Sequence, residues 1–375
     1  MAHPLRRFTK GIFIISNIIV ALFFLLGCYG YLLNPQQYWF TGFFALGAFY
    51  LLLLLIGFLF FWLLVKPRFM LIGLVSIGIA WVPLKQLVQL RRNNEFDFKK
   101  NAETLRVMSW NIEHFEILTH KTNPERKQKM LRLINMYQPD IACFQEAVAS
   151  DSVPGAINYL PDIIKALNMP YYYYSYNPKL DFDIEHRFGI IIFSKYPIIH
   201  HKTISHSPHD YNSIFQYVDV QREKDTFRIF NLHLQSLKFT DQDLKYIDEP
   251  TIDEETNFKK PRTILQKFKS GFLKRQTQSL HVREEIDKSP YPVVVCGDFN
   301  DVPNSFAYKT IGKGLQNSFA KKGNGIGRTY VHISPTLRID NIFSDKRFEV
   351  KQFIRDKQKL SDHFALITDL ENNNP

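Results

Sequence analysis

The sequence predicts a membrane anchor of two or three transmembrane helices, followed by a soluble domain of the α/β class whose sheets are covered by helices. Charged residues are absent between Lys10 and Lys66, and only a bilayer accommodates so long an apolar stretch. Beyond about residue 105, short apolar runs typical of strands alternate with helical patterns. Several of these runs end in small groups of polar residues, where rigid sites are built in α/β proteins.

The anchor is predicted from three apolar runs. Residues 11–33 and 38–65 carry no charge over 23 and 28 positions, and about 20 residues cross the hydrocarbon core of a bilayer. Residues 69–84 form a third run of only 16 residues, which either spans with Lys85 reaching the interface or is re-entrant. A cleaved signal peptide over residues 1–30 is the alternative for the first run, and the second long run argues against it.

The positive charge is concentrated around the anchor. Residues 1–100 have a net charge of +8, out of +11 for the whole chain, as expected of segments beside anionic lipid headgroups. The near-neutral remainder argues against a domain that coats duplex DNA. The basic N-terminus, Lys66 and Arg68 favour the cytoplasm, so three spans place the domain on the outer or periplasmic side of the cytoplasmic (inner) membrane. Five basic residues after the third run weigh against this orientation.

The same patterns predict the domain boundaries. Residues 1–90 form the transmembrane anchor, residues 91–104 a polar linker without apolar periodicity, and residues 105–375 the soluble domain. Within that domain, strands are predicted at 106–112, 141–144, 189–193, 227–233, 293–296, 338–343 and 364–370. Helices are predicted at 124–137, 156–167 and 262–287.

Polar residues at the strand ends form the candidate site. Each has an ordinary alternative when taken singly, such as a turn residue or a solvated surface group. Together they are rich in carboxylate and amide oxygens, which suit Mg²⁺ or Mn²⁺ better than zinc, and the three cysteines indicate neither a disulfide framework nor a zinc site. The polar residues are Asn111, Glu146, Asn231, His233, Asp298, Asn300, Asp340, Asp362 and His363.

The motifs around these residues resemble, in order and spacing, those of the endonuclease/exonuclease/phosphatase superfamily. This group includes DNase I-like nucleases, apurinic endonucleases, inositol-polyphosphate 5-phosphatases and neutral sphingomyelinases. The resemblance implies a DNase I-like fold, a two-sheet β-sandwich flanked by helices, over essentially all of residues 105–371. The motifs are SWN at 109–111, QE at 145–146, GIIIFSKYPI at 189–198, NLHL at 231–234, GDFND at 297–301, DNIF at 340–343 and SDH at 361–363.

The resemblance also implies a cofactor, Mg²⁺ (or Mn²⁺), and the residues that hold it. Asn111 and Glu146 are similar to the family's metal-binding pair, with Glu146 as the principal ligand. Asp362 is expected in the metal site or directly behind it. Arg187, the basic residue before the GIIIF motif, is expected to contact phosphate.

Five further residues are implied to carry the chemistry. Asp298 and Asn300 resemble the groups that position the attacking water and the scissile phosphate. His233 resembles the donor to a non-bridging phosphate oxygen, and His363 the catalytic histidine, oriented by Asp340. A histidine whose second nitrogen is held by a carboxylate is well suited to proton transfer.

The expected function is therefore a membrane-anchored, divalent-metal-dependent phosphoric ester hydrolase, in which water attacks a phosphate ester in line. Nucleic acid, a phospholipid headgroup and a small soluble phosphate ester remain open as substrates. Residues 238–275 begin acidic and end basic, so an acidic flap would discourage long polyanions, whereas a solvated loop and helix face is the simpler interpretation. The alternative function is a catalytically silent membrane scaffold that uses the domain for binding.

Overall fold

The computed structural model describes residues 4–91, 95–115, 123, 125–150, 160–176, 186–206, 213–248 and 259–373. The described part of the predicted anchor contains five α-helices: α1 (Pro4–Tyr29), α2 (Pro35–Tyr38), α3 (Thr41–Val65), α4 (Met70–Ile79) and α5 (Trp81–Leu87). Helices α1 and α3 pack closely because a glycine lies between them. A Cβ at Gly27 would lie 2.4 Å from the carbonyl oxygen of Phe44, a contact that only glycine permits and that is typical of membrane helix pairs.

The two long apolar runs form helices long and apolar enough to cross a membrane, over Arg7–Leu32 and Thr41–Val65. The third run does not form one straight span, because Pro67–Ile79 and Trp81–Leu87 meet at 71°. Pro83 explains the bend, since a proline ring clashes with the carbonyl four residues earlier, and that residue is Ile79, where α4 ends.

The remaining chain forms twelve strands and six helices among the described residues. The strands are β1 (Thr104–Asn111), β2 (Ile141–Ser150), β3 (Tyr171–Tyr176), β4 (His186–Ser194), β5 (Ile198–Ser205), β6 (Ile214–Arg222), β7 (Asp225–His233), β8 (Val293–Asp298), β9 (Gln316–Asn317), β10 (Asp340–Ser344), β11 (Phe348–Arg355) and β12 (Leu366–Asn372). The helices are α6 (Glu125–Tyr137), α7 (Leu160–Leu167), α8 (Asp241–Asp248), α9 (Lys259–Asp287), α10 (Phe306–Ile311) and α11 (Ser318–Lys322). Residues 124 and 156–159 of the predicted helices lie outside the described part of the chain.

The strands form two six-stranded sheets, in the orders β11-β12-β1-β2-β4-β3 and β5-β6-β7-β8-β10-β9. Both sheets are mixed, because β1 pairs parallel with β2 and β7 pairs parallel with β8. Side chains such as Val107, Cys143, Ile229 and Val294 pack between the sheets in one buried cluster. Helices α6 and α7 cover the outer face of the first sheet, and α9 and α10 that of the second. The predicted two-sheet sandwich flanked by helices is confirmed.

A polar link joins the two sheets at their centre. The Gln145 side chain donates from Nε2 to Oδ1 of Asn231 over 2.6 Å, and Nδ2 of Asn231 donates to the carbonyls of Phe144 and Ile191, both at 2.9 Å. Because buried amides need such partners, the link sets how the sheets face each other. It lies directly beneath the strand ends that carry the candidate site.

The segment predicted as a linker packs on the domain over its described part. The rings of Phe96 and Phe98 lie 5.5 and 5.3 Å from that of Tyr137. The fully buried Arg106 donates to the carbonyls of Asp97 and Phe98 and forms a bidentate pair with Asp369. Residues 95–104 therefore cover one end of the first sheet.

Candidate active site

Strand register brings three of the predicted side chains into one row. His233 lies opposite Asp298 across the parallel pair β7 and β8, and Asp298 lies opposite Asp340 across the antiparallel pair β8 and β10. Asn111 ends β1 on the neighbouring sheet. These four residues are each exposed by only about 1%. Polar groups so deeply buried need partners, and Asn111 donates to Asp298 over 3.3 Å.

His363 and Asp340 form a hydrogen-bonded pair. Nδ1 of His363 lies 2.8 Å from Oδ2 of Asp340, and the indole of Trp110 donates to the His363 carbonyl over 2.9 Å. Burial lowers the pKa of His363, but the carboxylates of Asp340, Asp362 and Asp298 outweigh burial and raise it well above its ordinary value. Nε2 is left facing the site as the nitrogen that can exchange a proton.

Asp298 lies at the centre of the site. Its Oδ2 is 3.3 Å from Nδ2 of Asn111, 3.7 Å from Nε2 of His363 and 3.8 Å from Nε2 of His233. Burial, followed by repulsion from Asp340, raises the pKa of Asp298 to about 8. Its second oxygen, Oδ1, accepts from the backbone N–H of Asn300 at 2.8 Å.

Asn300 is held in a conformation that asparagine adopts more readily than most residues. Its φ is +52°, in the left-handed region, and its Nδ2 donates to the carbonyl of Leu234 over 3.0 Å. The turn that follows β8 thus directs the Asn300 amide towards the strand that carries His233. Both predicted residues of the GDFND motif, Asp298 and Asn300, lie at the same point.

Glu146 lies across the site from Asp340. Its Oε1 is 3.2 Å from Nδ2 of Asn111 and 3.7 Å from Nε2 of His233. A β-bulge in β2 falls between Phe144 and Ala147, and Glu146 has φ +51°. Bulges of this kind re-aim a side chain at a functional site. The bulge turns Glu146 towards Asn111.

His233 is buried among these groups. Burial, followed by His363 and His114, lowers its pKa to about 3, so its ring is neutral at physiological pH and can donate from only one nitrogen. Asp362 approaches from the other side, with Oδ1 4.0 Å from Nε2 of His363. Seven predicted residues therefore surround one point, and Asp362 lies at its edge.

Arg187 is placed away from this cluster. It lies on β4, with its guanidinium carbon 6.0 Å from the Tyr176 ring centre, and it pairs in register with Ala149, beyond the bulge that carries Glu146. Direct phosphate contact by Arg187 stays a prediction.

The donors fit a hard divalent cation in two overlapping ways. Asp298, Asp340 and His363 offer ligand atoms within 4.8 Å of one another, although Asp340 already holds Nδ1 of His363. Asn111 and Glu146, the pair that the sequence favours, supply the oxygens that Mg²⁺ prefers. The Asn111 amide would have to turn over to present Oδ1, which now accepts from the backbone of Glu113 at 3.2 Å. We favour the space between Glu146 and Asp298, because it concentrates oxygen donors and leaves the His363–Asp340 pair intact.

Three residues at the site were missed in the sequence, and a fourth, Ser361, was identified only as part of the SDH motif and given no role. Nε2 of His114 lies 3.4 Å from Oε2 of Glu146, and Glu113 accepts from the backbone of Asp362 at 3.1 Å. Ser361 donates to the carbonyl of Asn111 over 2.8 Å, and the ring of Tyr330 lies 5.0 Å from that of His363. Only Ser361 carried a usable signal, through the SDH motif, because the other three follow no strand or helix pattern.

A cavity of about 760 Å³ opens from the site. Polar side chains line one end, among them Glu146, His233, Asp298 and His363. Its volume is within the range of small-molecule binding sites. The cavity also reaches residues of the anchor helix α3, namely Leu46, Gly47 and Tyr50.

Comparison with known proteins supports the fold and extends over most of the domain. The sequence model of the Endonuclease/Exonuclease/phosphatase family matches residues 108–363, and that of a domain of unknown function (DUF8431) matches residues 10–87. No curated protein matches the chain in sequence.

Two solved structures share the fold. The endonuclease/exonuclease/phosphatase of Beutenbergia cavernae DSM 12333 is 16% identical, with a TM-score of 0.51 and a match over 72% of each chain. That of Bacteroides vulgatus is 18% identical, with a TM-score of 0.50 over 72% of this chain and 99% of the other.

Proposed function

Because the chain belongs to the Endonuclease/Exonuclease/phosphatase family, we propose that it is a membrane-anchored, Mg²⁺-dependent phosphoric ester hydrolase, acting as a phosphodiesterase, nuclease or phosphatase. The family consists of nuclease- and phosphatase-like hydrolases. The metal dependence and membrane anchoring of this chain are our proposals. One observation carries the proposal. Asn111, His233 and His363 all direct a side-chain nitrogen to within 4 Å of Oδ2 of Asp298.

The arrangement suits the attack of water on phosphorus. Asp298, whose pKa is raised, accepts a proton from the attacking water, and the backbone N–H of Asn300 fixes its carboxylate. His363, kept protonated by Asp340, donates from Nε2 to a phosphoryl oxygen or the leaving oxygen. Glu146 and Asn111 would hold a divalent cation, whose positive charge would neutralise the phosphoryl oxygens and favour the ionised form of Asp298.

The anchor supports a proposed membrane orientation. The domain contacts the turn between α1 and α3, where Nε2 of Gln276 donates to Oδ1 of Asn34 over 2.8 Å, and the rings of Phe43 and Phe268 lie 5.1 Å apart. Lys66 and Arg68 lie at the far end of α3. We therefore place Lys66 and Arg68 in the cytoplasm and the domain on the outer face of the cytoplasmic membrane. The proposed division is an anchor at 1–90, a linker at 91–104 and a catalytic domain at 105–375.

Hydrolysis of bis-p-nitrophenyl phosphate by the purified full-length protein in detergent tests the proposal. We expect turnover with Mg²⁺, loss with EDTA, and loss of at least 100-fold in His363→Ala. His200→Ala is the matched control, because His200 is exposed on β5. Full activity in His363→Ala would refute the assignment. A folded wild-type protein that turns over neither this diester nor the monoester p-nitrophenyl phosphate would favour the silent scaffold.

A further inference from the structure

The cavity beside the candidate site is polar at one end and apolar at the other. Beyond the catalytic side chains, its walls are formed by Leu237, Phe239, Leu244, Ile247, Phe268 and Leu337. These residues come from the loop after β7, from α8 and α9, and from the loop before β10. An anionic phosphate belongs at the polar end, and an apolar group belongs against the remaining walls.

The apolar end is lined in part by a predicted membrane span. Leu46, Gly47 and Tyr50 of α3 line the cavity, and the hydroxyls of Tyr50 and Ser334 share a hydrogen bond of 2.8 Å. Ile333, next to Ser334, is a cavity residue with φ +65°, which a β-branched side chain rarely adopts. The loop around Ser334 is thus held against the span at the cavity wall.

Helix geometry gives the position of the α3 cavity residues relative to the bilayer. Helix α3 has 25 residues, so it is about 37 Å long and slightly exceeds a hydrocarbon core of about 30 Å. Leu46 and Tyr50 are its sixth and tenth residues, roughly 7–14 Å from its start. If α3 spans the bilayer as proposed, they lie in the outer part of the hydrocarbon core, on the side of the domain.

The charges lining the cavity do not suit a long polyanion. Besides the catalytic His363, its cationic lining residues in the described chain are Lys238 and Arg275, and Arg275 is buried and paired with Asp301 at 3.2 Å. Glu146, Asp298 and Asp362 are acidic. A nucleic acid needs a basic track along its backbone, and these walls are mostly apolar instead.

Resting on the proposed hydrolase function, we propose that the substrate is a phosphate ester of a membrane lipid. Its phosphate enters the polar end of the cavity, and its apolar chain lies along α3 between Leu46 and Tyr50. In the reaction, the oxygen of water forms the new bond to phosphorus, one phosphorus–oxygen ester bond breaks, and the leaving oxygen receives a proton.

Two esters with the same reacting bond test the proposal in detergent-solubilised full-length protein. Methyl p-nitrophenyl phosphate and dodecyl p-nitrophenyl phosphate both release p-nitrophenol, leaving the alkyl phosphate. We expect kcat/KM to be at least tenfold higher for the dodecyl ester, since tenfold corresponds to about 1.4 kcal/mol, less than two fully buried methylenes contribute.

A pair of glycine variants tests where the dodecyl chain of the substrate lies. Gly47→Leu adds a side chain at the cavity wall, where a Cβ meets only Leu51 at 4.0 Å, so the helix tolerates it. Gly57→Leu is the control, because Gly57 lies on the same helix in open space. We expect the dodecyl-to-methyl ratio to fall about tenfold in Gly47→Leu, and both rates to be unchanged in Gly57→Leu. The dodecyl ester partitions into detergent equally in both measurements, so this effect cancels when the ratios of the two variants are compared.

The outcomes separate the two proposals. If the wild-type protein cleaves neither these diesters nor the monoester p-nitrophenyl phosphate, or if His363→Ala keeps its activity, the hydrolase function itself fails. If it cleaves p-nitrophenyl phosphate but neither diester, only the lipid inference fails. If the wild-type protein cleaves both esters equally and Gly47→Leu behaves as Gly57→Leu, only the lipid inference fails. Cleavage of a single-stranded oligonucleotide faster than the dodecyl ester also overturns the lipid inference and identifies a nuclease.

Discussion

The pair formed by His363 and Asp340 gives the sharpest test of the catalytic assignment. Asparagine at position 340 keeps the size of the side chain but removes the charge that faces Nδ1 of His363 at 2.8 Å. A hydrogen bond between charged partners contributes about 1.5–3 kcal/mol, and each 1.36 kcal/mol is tenfold in rate. We therefore expect kcat for bis-p-nitrophenyl phosphate to fall roughly 10- to 160-fold in Asp340→Asn.

Asp340→Asn should change the thermal stability of the protein much less than its kcat. The second carboxylate oxygen of Asp340 has no hydrogen-bond donor among the described residues, so the substitution breaks no bond there. Loss of the charge also relieves the repulsion that raises the pKa of Asp298. We expect the midpoint of thermal unfolding to move by no more than about 5 °C.

The control for this variant is Asp345→Asn. Asp345 directly follows β10, is partly exposed and pairs with Arg347 at 2.8 Å, and exposed pairs contribute at most about 1 kcal/mol. Its kcat should equal that of the wild-type protein. If Asp340→Asn keeps kcat within twofold of wild type while His363→Ala is inactive, Asp340 does not act through His363 and the reasoning is wrong.

Two further predictions concern the metal and the fold. Glu146→Gln should raise the Mg²⁺ concentration for half-maximal activity at least tenfold, because an amide replaces the principal carboxylate ligand. Titration with Mg²⁺ after EDTA treatment measures this change. An unchanged titration would exclude Glu146 as a ligand. Arg106→Met should lower the free energy of unfolding by about 3–5 kcal/mol, because it removes the charged partner of the buried Asp369 at 2.7 Å and leaves that carboxylate only the neutral Gln352 amide. Urea denaturation measures this loss, with Arg347→Met as the exposed control, and equal effects of the two variants would contradict it.

The strands that carry the site could be predicted because each joins a short apolar run to a polar motif. Strands β5 and β6 were missed for different physical reasons. Strand β5 is largely exposed, so it lacks a buried face to set a pattern. Strand β6 is buried, but Asp219 interrupts its apolar run. Asp219 lies opposite Arg228 in β7 and accepts from it at 2.7 and 2.8 Å, a pairing that is visible only once the strands are aligned.

The site itself was predicted in part. Motif residues such as Asn111 and Asp298 end strands of the two facing sheets, and the packing of the sheets brings their side chains together. His114 lies in a short turn with φ +58°, for which the sequence has no periodic signal. The hydrogen bond between Tyr50 and Ser334 joins residues 284 positions apart, and neither side chain belongs to a motif. Long-range packing between anchor and domain has no local signature.

Arg338 shows what would happen to an excised domain. It is 2% exposed and donates to the carbonyls of Gln86 and Leu87, at the end of α5, and to that of Ile326 at 2.7 Å. Cutting the chain within residues 91–104 would strip this guanidinium of two acceptors, only two positions before Asp340. We therefore expect a truncated soluble form to have a disturbed candidate site, so its inactivity would not count against activity of the intact protein.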